Sequence, residues 1–329
     1  MRQKVTINDV AAYTGVSVST VSHALSGRRK ISDEVRKKIF EAVSHLNYRP
    51  SYTAQVMSTK RTMLIAALVS DCGNAASGVL FEALNAELAR YDYKMVLAVG
   101  GMSKEKGREM LQAFSTGIVD GIINMMYQIE TNEAKHICNP IPVITFLRQD
   151  SAPIYIDFEN AAIQALEYLW SQGHRRIGLI TSNTRVYNGV EPCLTGYKQF
   201  MSSKGETFDP QLIFEGNNTC DCGIIAAEQL YKHDITAIFA GNDQMASGVY
   251  QWAYQNNLRI PDDLSVIGFD DSPLATAVCP PLTTIQFPNQ EVSRHTVDSL
   301  MAKIGGHPDM AQTKIIRPTL IIRRSTQSI

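Results

Sequence analysis

No run of eighteen or more apolar residues occurs in this 329-residue chain, so no segment is long enough to cross a bilayer as a helix. A secretory leader is also missing from the N-terminus, which predicts a protein of the reducing cytoplasm with no membrane partner. Cysteine is sparse: six thiols, at 72, 138, 193, 220, 222 and 279, form no paired Cys-x-x-Cys set for zinc. Cys220 and Cys222 alone read as ordinary thiols. Seven histidines are scattered, with no His-Glu-x-x-His and no nucleophile constellation. No Gly-x-Gly-x-x-Gly or P-loop follows an apolar run, so a nucleotide has no cradle. These absences argue against a membrane protein, a zinc enzyme or a nucleotide-dependent enzyme, and they predict neither metal nor cofactor.

What is present is concentrated at the N-terminus. Residues 6–25, Thr-Ile-Asn-Asp-Val-Ala-Ala-Tyr-Thr-Gly-Val-Ser-Val-Ser-Thr-Val-Ser-His-Ala-Leu, read as two short helices joined by a Gly-containing turn. That is the helix-turn-helix layout, whose second helix enters the DNA major groove. Thr6 can cap the first helix, with Asp9 three residues later beside the positive helix end. Gly15 suits a left-handed C-cap. Ser17 then caps a second helix whose inward positions are Val21, Ala24 and Leu25. Val18, Ser19, Ser22 and His23 point away from the contact and make a short, hydroxyl-rich face. A helical hairpin packed into a larger core would share this pattern in isolation, but the sequence that follows argues against it. Ser32 caps a third helix with Asp33 and Glu34 in its first turn, and Val35, Ile39, Val43 and Leu46 form one apolar stripe. The resulting headpiece has about 45 residues, a size at which a domain is marginal alone.

Charge draws the same division. Residues 1–61 carry 11 Lys and Arg against 4 Asp and Glu, while the remaining 268 residues carry 20 against 28. The overall net charge of −1 thus hides a basic module on an acidic body, and clustered positive charge is the footprint of phosphate binding. Between them runs a linker in which Pro50 ends the third helix. Ser51–Ser58 could add two helical turns, too short to persist in water without something packed against them.

The run Val-Thr-Ile-Asn-Asp-Val-Ala, then Gly-Val-Ser-Val-Ser-Thr-Val-Ser, then Leu-Asn-Tyr-Arg-Pro resembles the lactose/galactose-repressor family of bacterial transcription regulators. Ala-Gly-Asn-Asp-Gln-Met-Ala-Ser-Gly, Ser-Val-Ile-Gly-Phe-Asp-Asp-Ser and Pro-Pro-Leu-Thr-Thr-Ile, near the C-terminus, resemble the same family's ligand-binding core. The resemblance implies a homodimer whose headpieces (1–49) read a pseudo-palindromic double-stranded operator. It also implies a hinge helix (50–61) in the central minor groove. Met57 matches the apolar wedge that unstacks a base step there, and Ala54 is small enough for two hinge helices to approach. By the same resemblance Thr6, Ser22, Ser32 and Tyr48 hold phosphates, while Val18 and Ser19 touch bases; Ser17 and Thr20 belong to the same DNA-binding set. His23 stands where the family usually carries Arg. It offers a single hydrogen bond in place of a bidentate fork onto guanine, so a different operator preference is expected.

From residue 62 the chain alternates apolar strands with amphipathic helices, the rhythm of parallel sheets covered on both faces. Strands are expected at 64–69, 95–99, 121–125, 143–146, 177–181, 237–240 and 265–268, and helices include 79–91, 159–172 and 244–256. The resemblance gives this body its specific form: an α/β periplasmic-binding-protein-like (type I) body of two subdomains, one covering about 62–157 and 288–319, the other about 158–287 and 320–329. Ligands in such folds sit beyond the carboxyl ends of strands. Asp71, Asn74, Arg148, Asn183, Asn242 and Asp270 follow strands and suit sugar hydroxyls, which donate and accept. Asn and Asp at strand ends also serve as ordinary loop caps. The resemblance most strongly implicates Asn242 and Asp270.

Two departures bear on the effector. Most sugar-responsive relatives carry Arg where this chain has Cys193, in Cys193-Leu194-Thr195-Gly196-Tyr197, so the cationic clamp is missing. The usual Asn-Pro-Phe run is replaced by Asn74-Ala75-Ala76. Either another group such as Arg148 substitutes, or the ligand differs, or sensing has been lost. The reading is a DNA-binding repressor controlled by a small effector, expected to be a carbohydrate; the alternative is a solute-binding protein or enzyme on the same body. The resemblance implies dimer faces on 79–88 and 249–254, and the C-terminus has no leucine heptad for a larger assembly.

Overall fold

The computed structural model describes residues 5–26, 29, 31–49, 52–126, 128–145, 154–182, 191–307 and 314–329. The chain divides into two compact units, Met1–Thr62 and Met63–Ile329.

The first unit holds α1 (Ile7–Thr14), α2 (Val18–Ser26), α3 (Asp33–His45) and α4 (Tyr52–Thr59). The Asp9 carboxylate accepts the N–H and the hydroxyl of Thr6, both at 2.8 Å, which sets the start of α1. Gly15 ends that helix at φ 66°, a conformation that costs a residue without Cβ nothing. Ser17 Oγ accepts the Thr20 N–H at 3.1 Å and opens α2. Ser32 occupies the cap position of α3, yet its hydroxyl makes no cap bond; its carbonyl accepts the Arg36 N–H at 2.9 Å instead. Val10, Val21 and Ile39 are completely buried, with Ala11, Ala24 and Ala42 around them. Leu25, Val35, Val43 and Leu46 flank this core only partly buried.

The second unit alternates strand and helix. Its first part runs β1 (Leu64–Val69), α5 (Ala75–Ala89), β2 (Lys94–Val99), α6 (Lys104–Phe114), β3 (Gly121–Asn124), α7 (Thr131–Cys138), β4 (Val143–Thr145) and β5 (Ile154–Ile156). It continues with α8 (Phe158–Ser171), β6 (Ile177–Thr181), α9 (Pro192–Ser203), β7 (Ile213–Glu215), α10 (Cys220–Leu230), β8 (Ala237–Ala240) and α11 (Asp243–Gln255). It closes with β9 (Ser265–Asp270), α12 (Pro273–Ala277), β10 (Thr283–Gln286), α13 (Asn289–Ile304), β11 (Lys314–Ile316) and β12 (Thr319–Ile321). One sheet has the order β2-β1-β3-β4, all parallel. The other has the order β12-β10-β9-β8-β6-β7 and is parallel except for β12. β5 and β11 make a separate parallel pair.

Continuous apolar strands are the mark of sheets buried on both faces. Ile65, Ile123 and Ile144 pack with Leu84 of α5 and Leu300 of α13, while Ala66, Leu68 and Ile122 pack with Leu111 of α6 and Cys138 of α7. Helix α13 thus returns to the first sheet, and β12 joins the second.

Element boundaries moved where side chains intervened. Helix α5 begins at Ala75 rather than 79 because Asn74 caps it, accepting the Ala76 N–H at 3.0 Å. Strand β9 runs on to Asp270 because its pairing with β10 continues to Gln286. Strand β3 stops at Asn124, whose side-chain oxygen accepts the Met126 N–H and turns the chain.

Candidate functional site

Two sets of functional side chains stand in the two units, and each is built by its own local structure. On the headpiece, α2 buries Val21 and Ala24 and leaves Val18 40 % exposed, Ser19 exposed, and Ser22 and His23 partly exposed. The Ser17 hydroxyl lies 2.8 Å from both Ser19 Oγ and Thr20 Oγ1, so the start of the helix carries a linked hydroxyl cluster. His23, Arg29, Ser32 and Arg36 line one groove beside it. Thr6 and Ser32 are exposed, whereas the Tyr48 ring is buried in the headpiece core. The linker is helical as α4, and Met57 on it is 79 % exposed. Ala54 lies three residues earlier on the same helix; its side chain falls outside the described residues.

In the body a cavity of about 210 Å³ opens beyond the carboxyl ends of β1, β6, β8 and β9. It brings together Asp71, Asn74, Cys193, Asn242 and Asp270. Arg148 and Asn183 lie outside the described residues. Three of the predicted residues also serve their own loops. Asp71 accepts the Gly73 N–H at 2.9 Å, Asn74 caps α5, and Asn242 caps α11 by accepting the Met245 N–H at 2.7 Å. Capping and facing the cavity are compatible for an Asn, because its NH₂ remains for other work; Asn242 Nδ2 reaches the Asn218 carbonyl at 3.5 Å.

Asp270 is placed differently. Its backbone sits at φ 106°, and its carboxyl makes no hydrogen bond or ion pair among the described residues. Burial, and then the charge of Asp243, hold that carboxyl well above the ordinary range. Cys193 is buried, and its thiol is raised by burial and by the carboxyls of Glu191 and Asp270. Glu191, also buried, caps α9 through the Leu194 N–H at 2.6 Å, and burial raises it despite that bond. Asp243 stands behind the wall. It accepts the Ser272 N–H and the Thr284 hydroxyl at 2.6 Å each, and burial lifts it to about 6.

The sequence reading missed Glu191, Asn218, Asn289 and an aromatic wall. Phe158 stacks between Phe269, with centroids 5.8 Å apart, and Phe287, at 6.4 Å. Phe158 and Phe287 sit where the chain passes between the sheets, and Glu191 precedes a proline at a helix start, so a positional signal existed for these.

Residues 6–51 match the family model "Bacterial regulatory proteins, lacI family", and residues 166–326 match "Periplasmic binding protein-like domain". The ribose operon repressor of Haemophilus influenzae is 30% identical over 98% of this chain and 99% of its own length. The chain is a member of the LacI family. Catabolite control protein A of Priestia megaterium is 30% identical over 91% of this chain and 96% of its own length. A solved structure of the Lac repressor dimer bound to operator and an anti-inducer superposes with a TM-score of 0.85 at 25% identity, covering 99% of this chain and 100% of that one. The CelR–cellobiose complex gives 0.72 at 25% identity over 98% and 100%. This LacI-family chain is therefore a DNA-binding transcriptional repressor, not an enzyme, with a helix-turn-helix headpiece and a periplasmic-binding-like body. No helix among the described residues is long and apolar enough to cross a membrane.

Proposed function

We propose that this protein is a cytoplasmic homodimer that represses a carbohydrate-utilisation operon and is released by a small metabolite bound in the body cavity. Each α2 enters a major groove, with Val18, Ser19 and His23 at base edges and Thr6, Ser17, Thr20, Ser22, Ser32 and Tyr48 setting register on phosphates. The observation that carries this reading is the pairing of that uncovered polar face with Met57. A methionine 79 % exposed on a two-turn helix has nothing of its own unit to fill, and it suits a wedge between base pairs. Asp71, Asn74, Asn242 and Asp270 hold the effector, with Arg148 and Asn183 completing the set. The mixture of amide and carboxyl groups with a phenylalanine wall is of the kind that grips the polar edges and apolar face of a small ring.

For the dimer, the faces proposed are those of 79–88 and 249–254, though not through every apolar side chain on them. Leu80, Leu84 and Leu88 are buried in the body itself, as are Val249 and Trp252, because these helices turn their apolar stripes to the sheets. Apolar groups exposed on the body include Val96, Leu97 and Val99 on β2, Ile225 on α10 and Tyr254 on α11, the last within 249–254. An edge strand with exposed apolar residues is a liability unless it is covered.

Fluorescence anisotropy on DNA from the protein's own upstream region tests the reading. A specific site is bound as a dimer, the affinity falls steeply with salt, and the effector weakens it by favouring a state in which hinge helices do not pair. Equal affinity for the upstream region and for scrambled DNA rules out specific repression. Unchanged operator affinity at saturating effector rules out the release step.

A further inference from the structure

Three carboxylates, Asp71, Glu191 and Asp270, line the body cavity, and among the described residues no lysine, arginine or histidine does. The three are not equivalent. Asp71 is engaged by the Gly73 N–H, and Glu191 is held by the start of α9. The Asp270 carboxyl alone has no donor among the described residues, since Arg323 is taken by its neighbour Asp271 at 2.6 Å. The Cys193 thiol lines the same cavity, buried and far too weak an acid and donor to balance a carboxylate. A second acceptor in the same wall, Asn218 Oδ1, is buried with no hydrogen-bond partner. A buried acceptor without a donor is costly, and with the partly buried Asp270 carboxyl unpaired beside it this wall calls for a ligand that donates. Phe158 and Phe269 line the same cavity, and aromatic rings attract a cation.

We propose that the effector is a small organic ammonium ion, an aminated sugar or comparable primary amine, whose charged nitrogen is set against Asp270 in the room left by Cys193. This rests on the reading of the cavity as the effector site. The ammonium supplies from the ligand side the positive charge that the resemblance places on a protein side chain. At about 210 Å³ the cavity limits the ligand to a single small molecule.

Calorimetry and thermal shift on the full-length protein, at fixed ionic strength, test this with three matched sets of probes. These are 2-amino-2-deoxyhexoses with alkyl primary amines, the parent hexoses with the N-acetylated sugars, and the uronic acids with sugar phosphates. At least one amine raises the melting temperature and binds about tenfold or more tightly than its neutral counterpart, the gain from a charge-assisted bond. That preference falls about tenfold in Asp270→Asn, and Cys193→Arg abolishes amine binding by placing a guanidinium in the same room. Should either variant fail to fold by circular dichroism, Cys193→Lys takes its place, with the same loss expected. Neutral sugars binding as tightly as amines, or acidic sugars binding in preference, overturns the ammonium assignment while leaving the cavity as the effector site. Amine binding that survives in the folded variants places the ligand elsewhere and overturns the proposal. If no probe binds or alters operator affinity, the ammonium assignment and the effector reading fall together.

Discussion

His23 is the residue on which operator choice turns. An imidazole offers one bond to a base edge, whereas an arginine at that point spans guanine O6 and N7. His23→Arg should therefore shift the preferred operator toward guanine at one base pair in each half-site, with discrimination of roughly 1–3 kcal/mol. Selection from a randomised operator library reads this directly, and an unchanged consensus would remove His23 from the reading face. Met57 makes a second case. Met57→Ala should leave the headpiece folded, because the side chain is exposed, while lowering operator affinity by about tenfold or more and reducing the bend measured by energy transfer. The identity of these residues was legible in sequence because the headpiece is local. Its caps, turn and stripe lie within a few residues of one another, so Gly15 and Ser17 announce the geometry that places Val18 and His23. The cleft residues were harder to read. Asn74, Asn242 and Asp270 lie at or after the ends of strands, yet two cap helices and the third has no described partner, a difference no spacing encodes.

Among elements, α10 and α11 show how closely packed the body is. A Cβ at Gly223 would be driven into the Met245 carbonyl, and one at Gly248 into the Cys220 carbonyl and to within 2.9 Å of Gly223 Cα. Gly248→Ala should therefore destabilise the body by roughly 1–3 kcal/mol, seen as a melting temperature several degrees lower. Gly78 on α5 has open space at the same point, and alanine there should leave stability equal or slightly raised. A tolerant Gly248 would mean the two helices can part without cost. Helices were legible from periodicity and several strands from their apolar runs, since β1, β6 and β8 begin and end where those runs do. The short strands β5, β7, β10, β11 and β12 were not, because pairing partners elsewhere in the chain define them.

Over the whole molecule, pH tests how the body holds its buried charge. Burial raises the Asp243 carboxyl from 3.8 to about 6, so the folded body binds that proton more tightly than the unfolded chain does. The associated stabilisation is complete below about pH 4 and is lost as pH rises through about 6. Urea unfolding of the wild type and of Asp243→Asn across pH 4 to 7 should show the wild type's relative advantage shrinking by up to about 3 kcal/mol as pH rises. An advantage that grew with pH would show the carboxylate to be better solvated than its surroundings imply. Charge separation between a basic headpiece and an acidic body, the alternation of strands and helices, and the helix-turn-helix itself were all present in the linear order of residues, because each depends on neighbours a few positions apart. That Asp243 is buried, that Asp270 and the Cys193 thiol line one cavity, and that Phe158, Phe269 and Phe287 share one wall were decided only by folding. Crossings between two sheets bring together residues more than a hundred positions apart, and their spacing in sequence carries no trace of their distance in space.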